Sequence, residues 1–85
     1  MDDRTLLETI RTHVADLCGV EPDAVRDEGK LVGYGLDSIR AVDLVLLLEE
    51  EFDVALPEHD PELTSVETVR DLARLVDRRR RGEQG

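Results

Sequence analysis

Leu7, Ile10, Val14 and Leu17 follow one another at spacings of three and four, which lays one apolar stripe along a helix. Gly19 is a fitting stop for that helix, and Thr5 with Glu8 has capping-box spacing near its start. The pattern predicts a first helix over residues 3–18, with His13 on its flank or surface. Residues 19–37 hold Gly19, Pro22, Gly29, Gly33 and Gly35, and no stripe there outlasts a turn. That segment reads as a long ordered loop, pinned to the core by Val20, Val25, Leu31 and Val32.

A second helix is predicted from Asp37–Ser38 to about Phe52. With about 100° of turn per residue, Ala41, Val42, Leu44, Val45, Leu48 and Phe52 share a face, and Ile39 and Leu46 sit at its edge. Arg40, Asp43, Glu50 and Glu51 take the opposite arc, and Leu47 falls in the middle of it. A single exposed leucine is common, yet one set among charges invites a partner.

Pro57 and Pro61 leave room for one helical turn over residues 60–63. Thr64 and Glu67 offer a capping pair ahead of Val66, Val69, Leu72, Ala73 and Val76, which predict a last helix to about Arg79. Arg78 to Arg81 suit the negative end of its dipole and are expected to fray beyond it as a solvated end. The expected fold is all-α: a four-helix bundle with three longer helices, a short third helix and a long loop between helices one and two. It forms a single domain over residues 1–85, with its core in 3–79 and a flexible tail in 80–85.

Charge changes the picture. Twenty-one acids against eleven bases give a net charge of -10, which disfavours binding to nucleic acid or anionic lipid. Residues 37–62 hold nine of the acids and only Arg40 as a base. That is either a solvated helix surface or a face for basic partners. The longest apolar run, Leu44 to Leu48, is far shorter than the roughly 20 residues of a membrane span. No signal-like stretch opens the chain, so a cytoplasmic location and no membrane association are expected. Cys18 is the single cysteine; it excludes an internal disulfide and reads as a small core residue. An 85-residue chain has little room for a deep active site, which favours a carrier, adaptor, inhibitor or regulator over an enzyme.

Gly35-Leu36-Asp37-Ser38-Ile39 joins a glycine-rich loop to a helix start. Asp37 or Ser38 is then a plain N-cap, or the serine hydroxyl stands at a helix N-terminus where a phosphodiester is favoured. No histidine neighbours Ser38 in sequence, so it looks like an acceptor that another enzyme modifies, unless His13 or His59 approaches in space. His13 and His59 lack metal-ligand spacing, and the acids of 49–53 lack a calcium-loop pattern; no metal and no catalytic residue are expected.

The segment 35–39 resembles the phosphopantetheine attachment motif of acyl carrier proteins. Leu17-Cys18-Gly19-Val20, Asp23-Ala24-Val25, Glu49-Glu50-Glu51-Phe52 with Leu56-Pro57, and Thr64-Ser65-Val66 with Leu72 resemble other landmarks of that family in the same order. The resemblance spans residues 6–77 and implies that Ser38, flanked by Asp37, receives phosphopantetheine from coenzyme A through a separate Mg²⁺-dependent phosphopantetheinyl transferase. It implies acyl groups carried as thioesters between an acyl-loading enzyme, a ketosynthase and other enzymes with basic docking patches, by a monomer. It points to Asp37, Asp43, Glu50 and Glu51 as steering acids, with apolar contacts from Ile39, Leu46 and Leu47. Leu48, Phe52, Leu56, Leu63 and Leu72 are the candidates for an acyl pocket. Arg40 stands where fatty-acid carriers usually show an acid, and Leu47 where they tend to have something small. These departures suggest a discrete carrier of a specialised polyketide or related natural-product pathway, with Arg40 read by its partners. A discrete peptidyl or aryl carrier is the alternative within the family. Outside it, the rival is a small acidic helical inhibitor of the immunity-protein kind, which leaves Ser38 and its glycine-rich approach unexplained.

Overall fold

Helix α1 spans Asp3–Cys18 in the computed structural model, which describes residues 3–57 and 59–82. Leu6, Ile10 and Val14, four residues apart, are buried along one line together with Ala15. Leu7 and Leu17, read as members of the stripe, only lean against that core. The true stripe is thus turned by one position toward Leu6. Gly19 ends the helix in the left-handed region at φ 70°, and the Val20 N–H closes onto the Ala15 carbonyl at 3.0 Å. Thr5 lies inside the helix rather than ahead of it, and its carbonyl accepts the Thr9 hydroxyl at 2.9 Å.

The long loop carries two single 3₁₀ turns, Pro22–Ala24 and Leu31–Tyr34. It is ordered by the start of the last helix. The Leu31 N–H donates to the Glu67 carbonyl, the Val69 N–H to Gly29 and the Arg70 N–H to Asp27. Arg11 and Arg70 both pair with the Asp27 carboxylate, and Arg70 also pairs with Glu28. Val25 and Leu31 are buried, as expected of pins, whereas Val32 is exposed. The described residues contain no strand, only an isolated bridge between Lys30 and Thr68.

Helix α2 spans Ser38–Phe52, α3 Pro61–Thr64 and α4 Val69–Arg80. On α2 only Leu44, Leu48 and Phe52 are buried; Ala41 and Val45 are half-buried. Val42, placed by the wheel on the core face, is 45% exposed. Its end of α2 overhangs a groove instead of lying on the bundle, so the apolar face there has nothing packed against it. The capping pair also differs from expectation. Thr64 closes α3, its hydroxyl donating back to the Pro61 carbonyl at 3.0 Å. Helix α4 is capped one turn later, where the Thr68 hydroxyl accepts the Asp71 N–H and the Asp71 carboxylate accepts the Thr68 N–H, each at 3.1 Å. Both pairs have the right spacing, and the apolar run that packs (Val69, Leu72, Ala73, Leu75, Val76) follows the second.

The arginine run departs from a frayed, solvated end. Arg78 to Arg80 are helical, Arg79 reaches back to Ala55, Asp60 and Glu62, and Arg80 and Arg81 pair with Asp77. Of the expected tail, residues 83–85 lie outside the described residues. The core is one cluster from α1, α2, α4 and the loops, with no buried polar or charged residue among the described residues. Each fully buried leucine, such as Leu44, Leu48 or Leu72, contributes roughly 1.5–3 kcal/mol of transfer free energy.

Candidate functional site

The approach to α2 is shaped before Ser38 is reached. The Tyr34 hydroxyl accepts the Arg26 N–H at 2.8 Å, and its ring lies against Gly29, where any Cβ would collide with it. Gly35 then turns the chain in the left-handed region at φ 93°, a conformation that disfavours a side chain. Asp37 is extended and is the N-cap. One carboxylate oxygen accepts the Arg40 N–H at 2.8 Å and the other the Arg40 guanidinium at 2.8 Å. The backbone N–H of Arg40, helped by its guanidinium, holds the Asp37 carboxyl below the ordinary aspartate range. Of the two capping choices the sequence leaves open, Asp37 takes the role.

Ser38 is therefore the first residue of α2 and is exposed. Its hydroxyl bonds to no other group among the described residues. The 15-residue helix behind it supplies first-turn N–H groups and the positive end of a dipole, a setting that suits an anionic phosphodiester. Neither histidine serves Ser38. His13 pairs through Nε2 with Glu51 at 2.7 Å, at the far end of α2 and about 20 Å along its axis from the serine. His59 is exposed ahead of α3, and no hydrogen bond links it to Ser38 among the described residues. No cluster of potential metal ligands occurs among the described residues.

Beside Ser38 opens an apolar groove of about 580 Å³. Leu31, Val32 and Leu36 of the loop and Ala41, Val42, Val45 and Leu46 of α2 form one wall. Leu56, Pro57, Leu63, Thr64 and Val66 form the other, with Leu72 of α4 behind. Asp37 and Ser38 stand on its lining, and Glu49 is tied there by the Leu56 N–H at 2.8 Å. Of the pocket candidates, Leu56, Leu63 and Leu72 line this groove. Leu48 and Phe52 are buried in the core and do not line it. Sequence reasoning missed Val32, Leu36, Val42 and Leu46 as groove residues. The available signal was their placement near the serine, since Ser38, Ala41 or Val42, Val45 and Glu49 recur at one-turn spacing on one side of α2.

The proposed contact residues separate into two groups. Ile39, Leu46 and Leu47 are 76%, 56% and 38% exposed, and Asp43 and Glu50 are exposed beside them. Arg40 and Glu51 are also exposed but already engaged, Arg40 by Asp37 and Glu51 by His13. Cys18 is half-buried against the core, and burial pushes its thiol above the ordinary cysteine range.

Comparison with known proteins agrees with this geometry. The family model described as a phosphopantetheine attachment site matches residues 8–76. An acyl carrier protein of Bdellovibrio bacteriovorus is 34% identical over 71 residues, covering 82% of this chain and 88% of its own. One from Akkermansia muciniphila is 32% identical over 79 residues, covering 92% and 96%. A 3-methylorcinaldehyde synthase of Phoma sp is 40% identical over 77 residues, 86% of this chain but only 3% of that protein. The crystal structure of an acyl carrier protein from Thermotoga maritima superposes with a TM-score of 0.78 at 26% identity, covering 96% of this chain and 94% of that one.

Proposed function

We propose that this chain, which belongs to the acyl carrier protein family, bears its phosphopantetheine on Ser38 and serves a specialised pathway of polyketide or related type. Membership makes it a carrier rather than an enzyme, and phosphopantetheine its cofactor, whose terminal thiol holds the acyl group as a thioester. The small acidic inhibitor reading falls away with that membership.

The observation that carries the Ser38 assignment is the exposed hydroxyl at the start of α2, left unbonded because Asp37 does the capping. First-turn N–H groups favour the phosphodiester, and the apolar groove leading away from Ser38 offers shelter to an apolar cargo. Ile39, Leu46 and Leu47 supply apolar contact to partner enzymes, while Asp43 and Glu50 steer them by their charge. Those partners are a phosphopantetheinyl transferase, an acyl-loading enzyme and a ketosynthase or similar enzyme with basic docking patches. The carrier works as a monomer in the cytoplasm; no described helix is long and apolar enough to cross a membrane.

Two observations support the specialised pathway. Arg40 neutralises Asp37 right beside the serine, so the acidic face begins only at Asp43. The likeness to a short stretch of the 3-methylorcinaldehyde synthase points the same way. Arg40 also favours the second reading, a discrete peptidyl or aryl carrier, and the thioester found on the protein isolated from its host separates the two. For Ser38 the test is intact mass after incubation with coenzyme A, Mg²⁺ and a promiscuous transferase. One phosphopantetheine adduct is expected on the wild type and none on Ser38→Ala. An unmodified wild type, or an adduct surviving the substitution, overturns the assignment.

A further inference from the structure

Helix α3 forms the outer wall of the groove, yet none of its four residues is buried. So short a helix has no stability of its own, and its apolar anchor is the half-buried Leu63, which leans on the core without being fully buried. A polar tie is added by the last turn of α4. The Arg79 guanidinium donates to the Ala55 carbonyl at 3.1 Å, to the Asp60 carboxylate at 2.5 Å and to Glu62 at 3.4 Å. Arg78 adds a second bond to Glu62. Asp60 is at the same time the N-cap of α3, its other oxygen accepting the Glu62 N–H at 2.9 Å.

One planar guanidinium thus grips the chain on both sides of the turn that precedes α3. A lysine, with its single point charge, would not span these acceptors. The Arg79 and Asp60 side chains are only 13% and 15% exposed, against 48% and 55% for the Arg40–Asp37 pair, so solvent screens them less. The bond from Arg79 holds the Asp60 carboxyl below its ordinary range. Between Ala55 and α3 lie Leu56 and Pro57, and α3 itself brings Leu63 and Thr64, all of them groove lining.

We propose that Arg79 sets the size of the cargo this carrier accepts, by clamping the α3 wall to α4 and so fixing the width of the groove beside Ser38. The inference rests on the reading of that groove as the cargo shelter. A chain that fits between the walls gains burial and stabilises the fold. A longer one has to push α3 outward against the clamp, the overpacking case. Releasing the clamp removes that resistance without touching Ser38 or the inner wall.

The test loads the full chain with straight acyl groups of increasing length, using the matching acyl coenzyme A compounds and a promiscuous transferase. The melting temperature of each acyl form is measured relative to the same variant carrying the bare arm. In the wild type this increment rises with chain length to a maximum and then falls. In Arg79→Gln and Arg79→Lys the maximum moves to longer chains, by about two methylenes or more. In Arg74→Gln, an exposed arginine on the same helix, it stays at the wild-type length. Referring each increment to the variant's own bare-arm form removes any general loss of stability. Where Arg79→Gln does not fold, Asp60→Asn carries the same comparison, since it keeps the α3 cap and removes the charge. A maximum unmoved in the Arg79 and Asp60 variants, or moved to shorter chains, overturns the clamp. A wild-type increment independent of chain length overturns instead the reading of the groove as a shelter.

Discussion

Along α2, Leu44, Leu48 and Phe52 are buried in the core, Leu44 also lining the groove, whereas Ile39, Val42, Leu46 and Leu47 are exposed to solvent or to the open groove. Both sets are aliphatic or aromatic, and both lie on one 15-residue helix. The first set explains why the helix is where it is. The second does nothing for that placement, because an exposed apolar side chain contributes little to folding. It is also clustered, between Ile39 and Leu47, where scattered exposure would be unremarkable and a patch is not. The difference separates the side chains that hold the helix in the fold from those left available for contact.

Four measurements sharpen or break this contrast. The largest effect belongs to Leu48→Ala, expected to destabilise by about 2–5 kcal/mol in chemical denaturation, as for other fully buried leucines. Its neighbour Leu47→Ala should lose less than about 1 kcal/mol. A loss from Leu47 as large as that from Leu48 would show that the outer face is structural after all. Third, Glu50→Lys should leave the unfolding midpoint unchanged and slow acyl loading by a basic partner several-fold at low salt, with the gap closing at high salt. Glu50 is the cleaner choice than Glu51, whose reversal also breaks the pair with His13. The smallest effect is that of mild acid on the start of α2. Asp37 titrates below its ordinary range in the folded state, so its cap is fully present above the unfolded value of about 3.9 and is lost only as pH falls through the lower folded value. Circular dichroism should show constant helicity from neutral pH down to about 5. A loss of helicity beginning near neutrality would mean that a group other than Asp37 governs the start of α2.

The helices and their ends were largely legible, because apolar periodicity and glycine stops are local properties of the chain. Helix α1 ends at Cys18 and α2 at Phe52 as the pattern predicts. What the sequence left hidden depends on which neighbour arrives. Thr64–Glu67 and Thr68–Asp71 have the same spacing, and only the docking of α4 selects the second pair. Val42 belongs to the apolar arc of the wheel and is exposed because no element covers that stretch of α2. The arginines of 78–81 read as a solvated end, since the acceptors of Arg78 and Arg79 at 55, 60 and 62 come from a turn whose position no periodicity reveals. For the site, the motif indicated Ser38, while the wall opposite it came only with the fold. Leu56, Leu63 and Leu72 were foreseen there, but Val32, Leu36, Val42 and Leu46 were not.

The stitching of the long loop to the start of α4 has a consequence for the order of events. The bonds from Leu31 to Glu67, Val69 to Gly29 and Arg70 to Asp27 join residues 36 to 43 positions apart. Closing a loop of that length comes late, after local helices have formed. The approach to Ser38 therefore depends on the start of α4 as well as on local contacts such as that of Tyr34 with Arg26. The amides of Leu31, Val69 and Arg70 should accordingly exchange with solvent as one cooperative unit. The loop that leads to Ser38 is thus held by the start of α4, far along the chain from it.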